Sequence, residues 1–223
     1  MLNAKDLLLY LCTDRLLAKG RPGVHGPAED RPITQAVQAA IEGGVTMVQI
    51  REKQAETLDF YNIAREVQAI TRRHKIPLVV NDRIDIALAL EADGLHLGQT
   101  DMPLDVARRL VGNKMFIGIS AGTVEEALAA ERGGADYLGV GAVFPTGSKA
   151  EAGEPIGISR IAEIRAAVRL PFVGIGGIGP ANAAGVIAAG ADGVAVISAI
   201  LSQPDIRAAA KLLRKAVARG PSS

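Results

Sequence analysis

Polar side chains able to grip anions fall at intervals along this 223-residue chain, each just after a short apolar run. Gln49, Arg51 and Lys53 alternate with Ile50 and Glu52 in the segment Gln49-Ile50-Arg51-Glu52-Lys53. If that segment continues a strand, its period-two geometry turns the amide and both cations to one side. Three such groups facing one way at a strand end favour anion binding over three separately solvated positions. Asn81-Asp82-Arg83 and Gly98-Gln99-Thr100-Asp101 follow the next two runs. Asp82 and Asp101 make a hard-cation site suited to Mg2+, which takes one or two carboxylates and completes its shell with water and phosphate oxygens. The competing reading has Asp101 capping a helix that starts near Pro103, and Asp82 paired with Arg83.

A second group of residues has a different chemistry. Ser120 closes the fifth apolar run and either donates to a ligand or starts a turn. Pro145-Thr146-Gly147-Ser148-Lys149 packs two hydroxyls and an ammonium into a glycine-containing turn, without the glycine spacing of a P-loop. Gly174-Ile175-Gly176-Gly177-Ile178 and Ile197-Ser198 end the last two runs. Glycines let backbone amides approach an oxygen-rich anion closely, which makes this a phosphate site and leaves the rest of the ligand open. The histidines form no acid–base pair. His74 lies in a cationic helix end where it complements the dipole, His96 inside a strand reads as a packed ring, and His25 falls in a loop.

Such residues can meet only if the runs that carry them share a sheet. Eight runs qualify as strands: Leu7 to Thr13, Thr46 to Arg51, Leu78 to Asn81, Gly94 to Leu97, Met115 to Ser120, Tyr137 to Val143, Phe172 to Gly176 and Gly193 to Ile197. Most are apolar throughout and alternate with Ala-rich helical stretches, so they are covered on both faces. The predicted fold class is α/β, a single (β/α)8 TIM barrel over residues 1–223, with every polar strand end opening into one crater. Apolar residues make up 48% of the chain and aromatics only 3%, so branched aliphatic side chains must fill the barrel. Three related turns, at Asp93, Asp136 and Asp192, sit between helix and strand on the opposite, stability face. There a glycine supplies the helix stop and the aspartate the turn.

Net charge is +1, from 25 basic and 24 acidic residues, and no basic stripe argues for a nucleic-acid partner. No apolar run is long enough for a membrane span and no export signal is evident, so a cytoplasmic location is expected. The lone Cys12 sits in an apolar run and reads as core. The segment Lys19 to Pro32 is either a flap over the site or an ordinary loop, and the tail from Arg219 to Ser223 is expected to fray.

Taken in order along the chain, Tyr10 to Asp14, Gln49 to Lys53, Asn81-Asp82, Gly98 to Asp101, Ser120, Pro145 to Lys149, Gly176-Gly177 and Ile197-Ser198 closely resemble the thiamine-phosphate synthase family. The resemblance implies a transferase of thiamine biosynthesis. It would join hydroxymethylpyrimidine diphosphate to thiazole phosphate and release pyrophosphate. By position, it implies that Gln49, Ile50, Arg51, Glu52, Lys53, Asn81, Ser120 and Lys149 hold the pyrimidine diphosphate, with Arg51, Lys53, Lys149 and Ser120 catalytic. Asp82 and Asp101 would bind Mg2+. Thr146, Gly147, Ser148, Gly177, Ile197 and Ser198 would take the thiazole phosphate. Its partners are thus small phosphorylated molecules, and a homo-oligomer is left open. Two departures stand out: Ser148 occupies a position where the family usually has threonine, and Gly122 one where a histidine is common. A sister family, the thiazole tautomerases, keeps that histidine for proton transfer and tends to lack the carboxylates, so this sequence favours coupling. The remaining alternative is a non-catalytic phosphate-binding barrel.

Overall fold

The computed structural model describes residues 2–18, 31–148 and 153–218. Eight strands appear where apolar runs were expected: β1 Leu9–Cys12, β2 Met47–Ile50, β3 Leu78–Asn81, β4 Gly94–Leu97, β5 Phe116–Ala121, β6 Tyr137–Gly141, β7 Phe172–Ile175 and β8 Gly193–Val196. All neighbours pair in parallel, in sequence order, and β8 returns to β1 to close the barrel. Branched and apolar side chains leave these strands almost wholly buried, as a sheet covered on both faces requires.

Each connection carries a helix. These are α1 Arg15–Ala18, α2 Ile33–Glu42, α3 Thr57–His74, α4 Ile84–Leu90, α5 Leu104–Val111, α6 Val124–Arg132, α7 Gly157–Ala167, α8 Ala183–Ala188, α9 Ser198–Leu201 and α10 Ile206–Ala218. The amphipathic members turn residues such as Ala36, Val37 and Ala40 of α2 toward the barrel. The apolar run opening the chain is longer than the strand it contains. Asn3 and Asp6 form a capping box that draws Ala4–Leu7 into a 3-10 turn, so β1 starts at Leu9 rather than Leu7.

The three repeated aspartates have one shared job on the lower face. Asp93 Oδ2 accepts the first amide of β3, from Leu78, at 2.9 Å. Asp136 Oδ2 accepts from Ile117 of β5 at 2.7 Å, and Asp192 Oδ2 from Phe172 of β7 at 2.9 Å. Each thus caps the preceding strand from the turn that begins the next one. Gly134 and Gly190 take the left-handed conformation expected of them, whereas in the first copy Glu91 adopts it. Asp136→Ala should cost about 1–3 kcal/mol by orphaning the Ile117 amide. Thermal denaturation should show the loss, while turnover per folded molecule stays unchanged.

Strand interiors also make room for rings. Gly118 of β5 lies in register with Tyr137 of β6, and a Cβ there would collide with the Tyr137 ring. The glycine therefore makes room for the Tyr137 ring inside the barrel.

Candidate active site

The carboxyl ends of the strands all rise to one mouth, and side chains that follow β2, β3 and β4 form its cationic half. At the end of β3, Asp82 sits in the left-handed region with φ 61°, a conformation aspartate tolerates better than most residues. Its Oδ2 lies 2.7 Å from Lys53 Nζ, which follows β2. Asp101, from the loop after β4, lies near enough for its carboxyl to raise that of Asp82. Burial, reinforced by Asp101 and opposed by Lys53, pushes the Asp82 carboxyl above the usual carboxylate range.

The competing structural roles for these carboxylates are not the ones adopted. Arg83 pairs with Asp85, not Asp82. The residue before α5 is Pro103, with no side-chain cap, while Asp101 Oδ2 accepts the Gly98 amide at 2.7 Å. Two hard oxygen donors facing each other beside one ammonium fit Mg2+, whose charge would relieve their repulsion. Among the described residues no group of three or more His, Cys, Asp or Glu side chains could hold a metal. This centre would therefore rely on water and substrate oxygens for the rest of its shell.

The β2 loop is fixed from both sides. The Arg51 amide donates to Thr13 Oγ1 at 3.0 Å, tying it to the end of β1. Glu52 accepts from Arg15 Nε at 2.9 Å, and Arg15 also binds Asp59. Burial raises the Glu52 carboxyl, with Arg15 opposing. Glu52 is thus a strut to α1; β2 ends at Ile50, short of the expected Arg51, so Arg51 and Lys53 are carried by the loop after the strand and not by its period-two extension. Ile50 packs its side chain wholly into the core, Asn81 is buried at the end of β3, and Gln49 is buried on β2.

The other half of the mouth is a cavity of about 740 Å³. Ser120, Thr146, Gly147, Ser148, Gly177, Ile197 and Ser198 all line it. Ser148 Oγ donates to Ser198 Oγ at 2.9 Å, joining the β6 and β8 loops, and Thr146 Oγ1 accepts the Ser148 amide at 3.2 Å. Gly177 has φ 63°, and a Cβ on it would stand 2.6 Å from the Pro145 carbonyl oxygen. Only glycine permits the β6 and β7 loops to approach so closely. Gly122, where a histidine would mark the tautomerase pattern, gives its amide to Glu126 Oε2 at 2.6 Å.

Lys149, His25 and most of the segment from Lys19 lie outside the described residues, as does the tail from Arg219. The end of that segment is anchored: Arg31 donates to the carbonyls of Gln203 and Pro204 beyond α9. His74 closes α3 with Nε2 3.0 Å from Gln38 Nε2. Cys12 is buried, as its apolar surroundings predict.

Sequence reasoning missed a polar thread through the barrel. Gln49 Nε2 donates to Tyr10 OH at 2.8 Å, and the Tyr10 and Tyr137 hydroxyls are 3.0 Å apart. Tyr137 OH lies 2.9 Å from His96 Nδ1, and His96 Nε2 3.0 Å from Ser120 Oγ. Burial pushes both tyrosine hydroxyls well above the usual range, so both stay protonated. The available signal was that two of only three tyrosines sit in apolar strand runs, where a buried hydroxyl must find a partner.

With its strand ends open on a single mouth that carries both a cation–carboxylate cluster and a hydroxyl-lined cavity, the chain falls into the class of (β/α)8 barrel enzymes. Comparison with known proteins narrows that class. The family model described as thiamine monophosphate synthase matches residues 23–200. A thiamine-phosphate synthase of Clostridium novyi (strain NT) is 52% identical over 205 residues, covering 92% of this chain and 96% of that one. Another, of Moorella thermoacetica, is 54% identical over 189 residues, covering 85% and 90%. The solved structure of a thiamine phosphate pyrophosphorylase from Pyrococcus furiosus has a TM-score of 0.86 at 41% identity, covering 98% of this chain and 99% of that one. The chain belongs to the thiamine monophosphate synthase family.

Proposed function

We propose that this chain, as one barrel domain over residues 1–223, is a transferase that joins hydroxymethylpyrimidine diphosphate to thiazole phosphate and releases pyrophosphate. The observation that carries the reading is the pairing of two unlike anion sites in one mouth. One has Lys53 bonded to Asp82, with Asp101 adjacent. The other is the neutral nest of Ser148, Ser198 and Gly177. A diphosphate that must leave needs cations that stabilise its growing charge, whereas a phosphate that stays needs only to be held.

Gln49, Arg51, Lys53, Asn81, Ser120 and Lys149 hold the pyrimidine diphosphate, with Ile50 and Glu52 as part of the loop that carries the cations. Arg15 neutralises Glu52, so that loop does not turn a bare carboxylate toward an anion. Thr146, Gly147, Ser148, Gly177, Ile197 and Ser198 hold the thiazole phosphate. Asp82 and Asp101 hold Mg2+, which when bound neutralises charge on the diphosphate oxygens. Arg51, Lys53 and Lys149 stabilise the leaving group as the bond from the pyrimidine methylene to oxygen breaks and positive charge gathers on the pyrimidine. The thiazole nitrogen then supplies the electron pair for the new bond, so no protein nucleophile is needed. That agrees with a mouth built of charge and hydrogen-bond donors.

Among the described residues no helix is long and apolar enough to cross a membrane. The proposed activity belongs with the small-molecule chemistry of the cytoplasm. Incubation with both substrates and Mg2+ should release pyrophosphate, and a chelator should stop it. Binding of both phosphates without turnover would favour a regulatory barrel instead. Conversion of a thiazole carboxylate phosphate without the pyrimidine would favour the tautomerase.

A further inference from the structure

The loop after β7 is held from behind by one side chain, Asn182, that the proposed reaction does not use. Asn182 Oδ1 accepts the Gly179 amide at 2.8 Å, and Nδ2 donates to the Gly177 carbonyl at 3.0 Å. A backbone amide only donates and a carbonyl only accepts, so the two bonds fix which end of the side-chain amide faces which group. Asn182 stands immediately before α8, where an asparagine ordinarily accepts a helix amide, yet its side chain makes no such bond. Both polar groups go to the loop instead. The Oδ1 bond closes the turn into α8, whose Gly179 carbonyl also accepts the Asn182 and Ala183 amides, and the fold alone explains it. The Nδ2 bond has no such structural duty.

Its effect falls on the cavity. Gly177, Ile178 and Gly179 line that cavity, whereas Asn182 is not among its lining residues. The Gly177 carbonyl is thus drawn to the side away from the cavity. The peptide that follows is trans, which sets its N–H opposite its C=O, so the Ile178 N–H points to the cavity side. The Ile178 side chain lies elsewhere. Its Cδ1 shares the space over Gly174 with Val186 and Val143, none of which lines the cavity, so Ile178 reaches the cavity through its backbone. The loop itself does not enforce this orientation. Gly176 at φ 98° and Gly177 at φ 63° lack the β-carbons that would restrict rotation of the peptide. A half-turn would set a carbonyl oxygen where an N–H now stands, beside a bound phosphate.

We propose that Asn182 is a positioning residue for the thiazole phosphate, locking the peptide between Gly177 and Ile178 with its N–H toward the cavity and its carbonyl away. This rests on the thiazole phosphate assignment made above for Gly177 and its neighbours. It adds a residue that touches no substrate and a donor, the Ile178 N–H, outside the set assigned there. A backbone N–H facing a phosphate oxygen makes a charge-assisted bond, whereas a carbonyl turned the same way would repel it.

Two variants separate the two bonds. Asn182→Asp keeps an oxygen for the Gly179 amide and removes the hydrogen given to Gly177, and a carboxylate at the start of a helix does not weaken it. Its melting temperature should stay close to that of the wild type. Asn182→Ala loses both bonds and should melt about 2–4 °C lower. In steady-state kinetics both variants should raise KM for thiazole phosphate about tenfold and leave KM for the pyrimidine diphosphate within about twofold. Impairment of Asn182→Ala alone, in step with its stability, would show a turn-closing role only. Impairment of Asn182→Asp alone would show charge repulsion only. Either result overturns the proposal. Binding of inorganic phosphate gives a readout independent of turnover. In nitrogen–proton NMR of the wild type, saturating phosphate should move the Ile178 amide proton downfield, and Asn182→Asp should lose that shift. A wild-type Ile178 amide unmoved by phosphate would overturn the proposal. Protein that releases no pyrophosphate yet shows the Ile178 shift would count against the proposed function and leave the peptide lock standing.

Discussion

Replacing Asp82 with asparagine is expected to lower metal-dependent turnover about a hundred- to a thousandfold, the usual effect of removing one preorganised electrostatic group from a reacting centre. The fold should hardly notice. Asparagine has the same shape and accepts the left-handed backbone that Asp82 adopts at φ 61°. The expected change in stability is in fact a gain. Burial and the neighbouring Asp101 raise the Asp82 carboxyl above its ordinary value, against the pull of Lys53. A raised carboxylate favours the fold while protonated, and that advantage is lost as pH rises through its folded titration. At neutral pH the ionised Asp82 therefore weighs against the metal-free fold, and asparagine removes the burden. As pH rises through the Asp82 titration, the melting temperature of Asp82→Asn should gain on that of the wild type. Added Mg2+ should raise the wild-type value and leave the variant unmoved. Parallel loss of stability and activity would make Asp82 a structural residue.

Gly177→Ala should act on the other half of the mouth. A β-carbon here would meet the Pro145 carbonyl oxygen at 2.6 Å and Phe144 Cβ at 2.7 Å, and the residue would also have to hold φ 63°. The left-handed conformation alone costs alanine about 1–2 kcal/mol, and the β6 loop must retreat as well. That loop carries Thr146 and Ser148, whose hydroxyls line the cavity. KM for thiazole phosphate should therefore rise tenfold or more, since each 1.4 kcal/mol is a factor of ten. KM for the pyrimidine diphosphate should change little. A variant with unchanged thiazole phosphate affinity would place that phosphate elsewhere.

The barrel was legible because its strands are buried on both faces. Runs such as Leu78–Asn81 and Gly94–Leu97 coincide with β3 and β4 residue for residue. Where the run outlasts the ladder, as at Leu7 or Val143, apolarity reports burial and not strand geometry. Val143 donates to the Ile175 carbonyl from beyond the end of β6. The period-two reading of Gln49, Arg51 and Lys53 identified the cationic segment, but it could not show that Glu52 braces α1 through Arg15, 37 positions away in the chain. The even choice between metal and structural roles for Asp82 and Asp101 had the same cause. Sequence neighbours Arg83 and Pro103 offered partners that the backbone does not use. The polar thread was invisible because its bonds join positions as far apart as Tyr10 and Tyr137, and His96 by itself looks like packing.

On the proposed function, a carboxylate–cation cluster and a hydroxyl–glycine nest hold two different phosphates in one mouth. A crystal structure with Mn2+ in place of Mg2+, pyrophosphate and thiamine phosphate tests it directly, because the metal's anomalous scattering marks its position. Manganese is expected between Asp82 and Asp101, pyrophosphate against Arg51 and Lys53, and the phosphate ester against Ser148, Gly177 and Ser198. Manganese bound away from both carboxylates, or the ester phosphate seated on the cationic cluster, would contradict it.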